Sequence, residues 1–238
     1  MTAQEHKPYT LGEEIANSVI HGIGAALAIA ALAILTSFAA LRGTAIHVVP
    51  CAIYGSCMFL MFLMSTLYHA LTPPKAKRVF QILDHEAIFL MIAGTYTPFT
   101  LITLRGPLGW TLFGIIWGIA VAGLVFQALC TGRLRILSTI LYVAMGWLVV
   151  IALKPLVRNL TPLAFHFLWI GGLCYTLGAV AYLFKRVPYL HTVWHVAVLA
   201  GAVFHFFCIL FCLPAPETVS QETVSAVGQS WLPPAYPS

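Results

Sequence analysis

Hydrophobic residues in this chain come in long blocks rather than in the short alternations of an amphipathic fold. The segments 15–41, 46–71, 83–104, 107–129, 136–157, 161–184 and 190–213 are each predominantly apolar. A helix needs about 20 apolar residues to cross a bilayer core of ~30 Å, so each block predicts one membrane-spanning helix. Between the blocks stand Arg42-Gly43, Pro73-Pro74 with a basic cluster, Arg105-Gly106-Pro107, Thr131-Gly132-Arg133, Arg158-Asn159 and Lys185-Arg186-Val187-Pro188. Glycine, proline and charge are the residues that end helices. The alternating ~10-residue strands of an outer-membrane barrel are absent. The first block is too long for the apolar region of a signal peptide, and acidic Glu13 and Glu14 occupy the place of a basic leader. It reads as an uncleaved first helix. The expected fold class is an all-α polytopic membrane protein, a seven-transmembrane-helix bundle. Residues 1–13 form a short N-terminal segment and 14–213 one membrane domain; no internal repeat divides it. Residues 214–238, rich in Pro, Ser and Thr, read as a disordered tail.

Composition sharpens this picture. The chain is 61% hydrophobic and only 8% charged, against about a quarter charged in soluble domains. The net charge of +5 does not point to nucleic acid, because the Lys and Arg residues are scattered through short connections. They orient the bundle instead. The side holding the N-terminus carries Lys7, Lys75, Lys77, Arg78, Arg133, Arg135, Lys185 and Arg186; the other carries Arg42, Arg105, Lys154 and Arg158. The excess of basic residues predicts a cytoplasmic N-terminus and an external C-terminus, in the cell membrane. The six cysteines lie in or beside apolar blocks and form no C-x-x-C pair; they read as small buried residues.

The polar residues inside the spans carry the functional signal. Between Ile15 and Pro216 the only acidic residues are Asp84 and Glu86. They either cap the start of the third helix, where carboxylates meet the helix dipole, or mark a site, since ionisable groups at membrane depth are costly. His191 and His195 are one helical turn apart and share a face. Ser65 and His69 are related in the same way at the end of the second span. Counting spans places His69, Asp84, His191 and His195 at one depth, on the N-terminal side. Three neutral imidazoles with one open position suit a catalytic Zn²⁺, which polarises a carbonyl and acidifies a water. Asp84 could then move the proton and Ser65 support the site by hydrogen bonding. The alternative is a set of intramembrane histidines each bonded to a neighbouring helix. His205, about 15 Å further along its helix than His195, reads as such an interhelical residue. His47 and His166 read as interfacial on the opposite side. Glu14, Asn17 and His21 recur on one face of the first helix. Glu13 and Glu14 read as flanking the membrane, and Asn17 and His21 as packing groups, a supporting role at the site being the alternative. Pro98 in Gly94–Phe99 (GTYTPF) predicts a kink whose freed backbone Thr and Tyr hydroxyls can satisfy.

The sequence resembles the hemolysin III branch of the progestin and adiponectin receptor (PAQR) family. The motifs that carry this are Glu14-Ile-Ala-Asn17 with His21-Gly-Ile-Gly24, Ser65-Thr-Leu-Tyr-His69, Asp84-His-Glu-Ala-Ile88, Gly94–Phe99, His191-Thr-Val-Trp-His195 and Val203-Phe-His-Phe206. The resemblance implies a seven-helix bundle with a cytoplasmic N-terminus, and zinc held by His69, His191 and His195. It implies that Asp84 contacts the water on that zinc, with Ser65 beside it. The related receptors and alkaline ceramidases imply hydrolysis of a lipid amide, making membrane lipids the expected partners. Two other readings stand beside this one: a membrane sensor or regulator with structural zinc, closed by Asp84 as a fourth ligand, and a cytolytic pore. A pore needs polar lining across the whole membrane, whereas the strongest polar groups gather towards one side.

Overall fold

A computed structural model describes residues 9–130, 135–184 and 187–215. The predicted N-terminal segment up to residue 8, the tail from 216, and the orienting residues Lys7, Arg133, Lys185 and Arg186 lie outside the described residues. Among the described residues the chain is helical throughout: α1 (Leu11–Arg42), α2 (Ala45–Ala70), α3 (Pro74–Pro98, continued as a π-helix over Phe99–Leu104), α4 (Gly106–Cys130), α5 (Arg135–Trp147), a 3₁₀ stretch (Leu148–Ala152), α6 (Leu153–Asn159), α7 (Pro162–Leu183) and α8 (Leu190–Cys212). They make seven spans long and apolar enough to cross a bilayer, with α5, the 3₁₀ stretch and α6 forming the fifth.

The faces are inverted relative to a soluble protein. On α1, Ile15, Val19, Ile23 and Leu27 point outward, while Asn17, His21, Gly24, Ala28, Ala31 and Ala39 are buried. Lipid is as apolar as leucine, so membrane helices associate through small residues that let backbones approach. Gly24 packs against the Phe62 ring and Gly55 against Leu32, and any Cβ there would collide with its neighbour. These contacts lock α1 to α2, and the main core cluster extends from this pair to α3 and α8.

Two features depart from expectation. The third span begins at Pro74, not near residue 83. A proline at the first helical position costs no hydrogen bond, and the basic turns that follow are helical although they lower the local hydropathy. Asp84 and Glu86 therefore sit well inside α3 and cap nothing; this corrects the capping alternative. Pro98 leads directly into the π-helical turns, and around it the Thr97 and Thr100 hydroxyls donate to the Ala93 and Tyr96 carbonyls. The hydroxyl of Tyr96 instead acts on the fifth span. It donates to the Gly146 carbonyl (2.6 Å) and accepts from Val149 N–H (2.7 Å). A side chain inserted into a helix ladder breaks it locally, which accounts for the 3₁₀ stretch starting at Leu148.

Candidate metal centre

The start of α1 is held by a capping box. Thr10 Oγ1 accepts from Glu13 N–H, and the Glu13 carboxylate accepts from Thr10 N–H at 2.8 Å. The other Glu13 oxygen accepts from Tyr189 N–H (2.9 Å), joining α1 to the turn before α8. Tyr189 adopts the left-handed conformation (φ 59°) there. Glu13 is therefore a structural cap rather than a membrane-flanking charge. This joint sets the first turns of α8 against those of α1, at the end of the bundle where α2 finishes.

There His69, His191 and His195 come together, all three buried, with ligating nitrogens within 4.8 Å of one another. His195 Nε2 lies 3.0 Å from His191 Nε2 and 3.2 Å from His69 Nε2. Nitrogens bound tetrahedrally to one ion at ~2.0–2.1 Å are ~3.3 Å apart, close to these two spacings. The protonation pattern fits as well. The Glu14 carboxylate lies 2.6 Å from His69 Nδ1, which places a proton on Nδ1 and leaves Nε2 with its lone pair in neutral imidazole. His195 Nδ1 lies 2.7 Å from His21 Nε2; a proton on His195 Nδ1 donated there would leave its Nε2 free to present a lone pair. Converging lone pairs repel unless a cation lies between them. This triple-histidine group can hold a metal ion.

The groups behind the imidazoles come mainly from α1. Glu14 also accepts from Lys77 Nζ at 2.7 Å, so one carboxylate joins α1, α2 and α3. Asn17 Oδ1 accepts from Thr192 Oγ1 (2.7 Å) and bridges to α8. His21 and Asn17 thus touch the site directly or through one neighbour, and the packing-only expectation is corrected. The motif Glu14-Ile-Ala-Asn17 was the available signal; span counting gives depth along a helix but not the direction a face points. Tyr9, just before α1, stacks on His191 with ring centroids 4.8 Å apart and an interplanar angle of 19°. Burial above all, with Tyr68, Tyr182, Asp84 and Glu14 nearby, pushes its phenol above the ordinary tyrosine range, so it stays protonated.

His191 and His195 border a cavity of about 170 Å³. Asp84 and Ser65 line it beside His191 and His195, but Asp84 is not part of the cluster of mutually close ligand atoms. Ser65 Oγ is buried and makes no hydrogen bond among the described residues, so it faces the cavity without a protein partner. The cavity continues between α2, α3, α5, α7 and α8 to Phe99, Leu168 and His205 in the opposite half of the bundle. His205 Nε2 lies 3.2 Å from the Leu168 carbonyl, the interhelical bond expected. His166 is exposed, as an interfacial residue is. His47 is buried instead: Thr44 N–H donates to its Nδ1 and Arg105 Nη2 lies 2.9 Å from its Nε2. Cys51, Cys57, Cys174, Cys208 and Cys212 are free; the first two and Cys208 are buried as expected, while Cys174 and Cys212 are only partly so.

Fold and site together define a multi-pass integral membrane protein with a buried triple-histidine group at one end of its bundle. The sequence profile described as Haemolysin-III related matches residues 9–206, and the chain belongs to that family. It is 52% identical to "Hemolysin-3" of Bacillus cereus over 199 residues, covering 84% of this chain and 91% of the relative. It is 46% identical to the "Hemolysin-3 homolog" of Bacillus subtilis (strain 168) over 209 residues, 87% of this chain and 98% of the relative. A more distant likeness, 29% over 168 residues (66% of this chain, 67% of the relative), links it to the human "Monocyte to macrophage differentiation factor" and supports the wider PAQR relation. No solved structure gives a significant match.

Proposed function

We propose that this protein is a zinc-dependent hydrolase of a lipid amide or ester, embedded in the cell membrane with its N-terminus in the cytoplasm. Its working part is the membrane domain 14–213. The observation that carries this reading is a three-donor histidine group, two members of which, His191 and His195, line a cavity together with Asp84 and Ser65. Structural zinc sites are closed by four protein ligands, whereas catalytic ones keep a position open. Zn²⁺ bound by His69, His191 and His195 would supply Lewis acidity toward a carbonyl and acidify a water.

The chain's own residues do the rest. Glu14 keeps the proton of His69 on Nδ1 and holds the ring in its ligating orientation. The Asp84 carboxylate takes a proton from the attacking water and returns it to the departing nitrogen or oxygen as the acyl bond breaks. Ser65 Oγ offers a hydrogen bond to the polar linkage of the substrate. Tyr9, lying over His191, keeps bulk water from the cluster. The site is one or two turns inside one end of the bundle, the depth at which a ceramide-like lipid carries its linkage. The bacterial relatives are named for haemolysis. Here Glu14, Lys77, Asp84 and the three histidines gather at one end, which argues against a continuous polar path through a single copy.

The test is fatty-acid release from ceramide and ester lipids in liposomes holding purified protein. Asp84→Asn is expected to slow release by ~10²–10⁴-fold while metal content stays unchanged. His191→Ala is expected to abolish both. Equal rates for wild type and His191→Ala, with both proteins folded, would overturn the hydrolase reading. Loss of folding on chelation, without any turnover in the wild type, would favour the structural-zinc sensor.

A further inference from the structure

The far end of the cavity presents a second polar station that the hydrolytic reading does not use. His205 and Tyr175 both line the cavity there, with ring centroids 5.4 Å apart. His205 is only 7% exposed. Its Nε2–H donates to the Leu168 carbonyl, so its Nδ1 carries a lone pair, and that atom has no hydrogen-bond partner among the described residues. The Tyr175 hydroxyl is buried and has no partner among them either. One acceptor and one donor thus sit on neighbouring rings, without protein partners among the described residues, in the apolar half of a membrane bundle. Burying such a group unpaired is costly, and native structures hold few of them.

The positions of both rings are built in rather than incidental. The His205 ring edge lies where a Cβ on Gly171 would be, and the Tyr175 ring lies where a Cβ on Gly201 would be. Each of α7 and α8 gives up a side chain to seat the other helix's polar ring. Along α8, His205 is ten residues beyond His195, about 15 Å down the axis. A long acyl chain whose carbonyl lies at the histidine group and whose tail follows the cavity would pass this station partway along its length.

We infer that the His205–Tyr175 pair is a recognition site for a hydroxyl carried in the middle of a lipid acyl chain. The hydroxyl would donate to His205 Nδ1 and accept from Tyr175 Oη, satisfying both orphaned atoms at once. The inference rests on the lipid-chain reading of the cavity but not on turnover, so it is tested by binding. Purified protein in nanodiscs would be titrated with stearate and with a mid-chain hydroxystearate, in the wild type and in Tyr175→Phe and His205→Leu. Metal content and thermal stability would serve as controls. The hydroxylated acid is expected to bind the wild type at least about ten-fold more tightly, as one satisfied buried pair warrants. Tyr175→Phe, which deletes one oxygen and keeps the ring, is expected to erase that preference while stearate affinity and metal content hold. Equal affinities in the wild type, no binding of either acid, or a preference that survives both substitutions would overturn the inference. Failure of lipid hydrolysis alone would leave this binding result standing and would count only against the hydrolase reading.

Discussion

Two histidines on α8 show how environment divides one residue type between roles. His195 and His205 are both buried on the same helix. Around His195, three helices converge: His69 arrives from α2, His191 from one turn earlier, and His21 from α1. Every added ring there is another nitrogen, and a cation is the natural way to reconcile them. Around His205 the neighbours are a backbone carbonyl, a tyrosine and Phe99. One nitrogen is satisfied, and among the described residues His205 belongs to no group of three donors placed to hold a metal. The number of converging donors, not burial or helix position, separates a metal site from a hydrogen-bonding station.

The largest effect that sharpens this contrast is expected from paired alanine substitutions. His195→Ala should remove stoichiometric metal, whereas His205→Ala should keep it; metal content after gel filtration checks both. Next comes the support behind the ligands. Glu14→Gln keeps the shape but loses the carboxylate that holds His69, and should weaken metal affinity by ~10–100-fold, measured by competition with a chelator. Gly146 and Gly172 both line the cavity, and a Cβ on either meets nothing within 4 Å. Gly172→Leu should therefore reduce acyl-chain binding several-fold without altering metal content or thermal stability. The smallest effect is expected at Tyr9. Its phenol is held protonated by burial, so Tyr9→Phe should change activity by the same factor from about pH 6 to about pH 10, the ordinary tyrosine value. A factor that changes within that range would place the phenol's titration inside it.

Much of this was legible in the sequence because membrane depth is a one-dimensional coordinate. Seven apolar blocks became seven spans, and counting residues from the break points set His69, His191 and His195 at one level. What depth cannot give is azimuth. Glu14 and His21 turn inward onto the imidazoles because small residues along the same face of α1, such as Gly24, bring it against α2. Hydropathy also misplaced the start of α3, since helical turns rich in lysine and arginine look like a loop, and with it the status of Asp84 and Glu86. The break in the fifth span was invisible because its cause, the Tyr96 hydroxyl, lies some fifty residues away in the chain. The unpaired atoms of His205 and Tyr175 were equally hidden, since a sequence states which donors exist but not which meet.

The most direct test of the central claim is elemental analysis of protein purified without chelators, wild type beside His69→Ala. The account predicts about one divalent ion per wild-type chain, zinc under the proposed function, and none in a folded His69→Ala variant. Wild-type protein that takes up no ion when zinc is supplied, or a His69→Ala variant that binds it undiminished, would contradict the account.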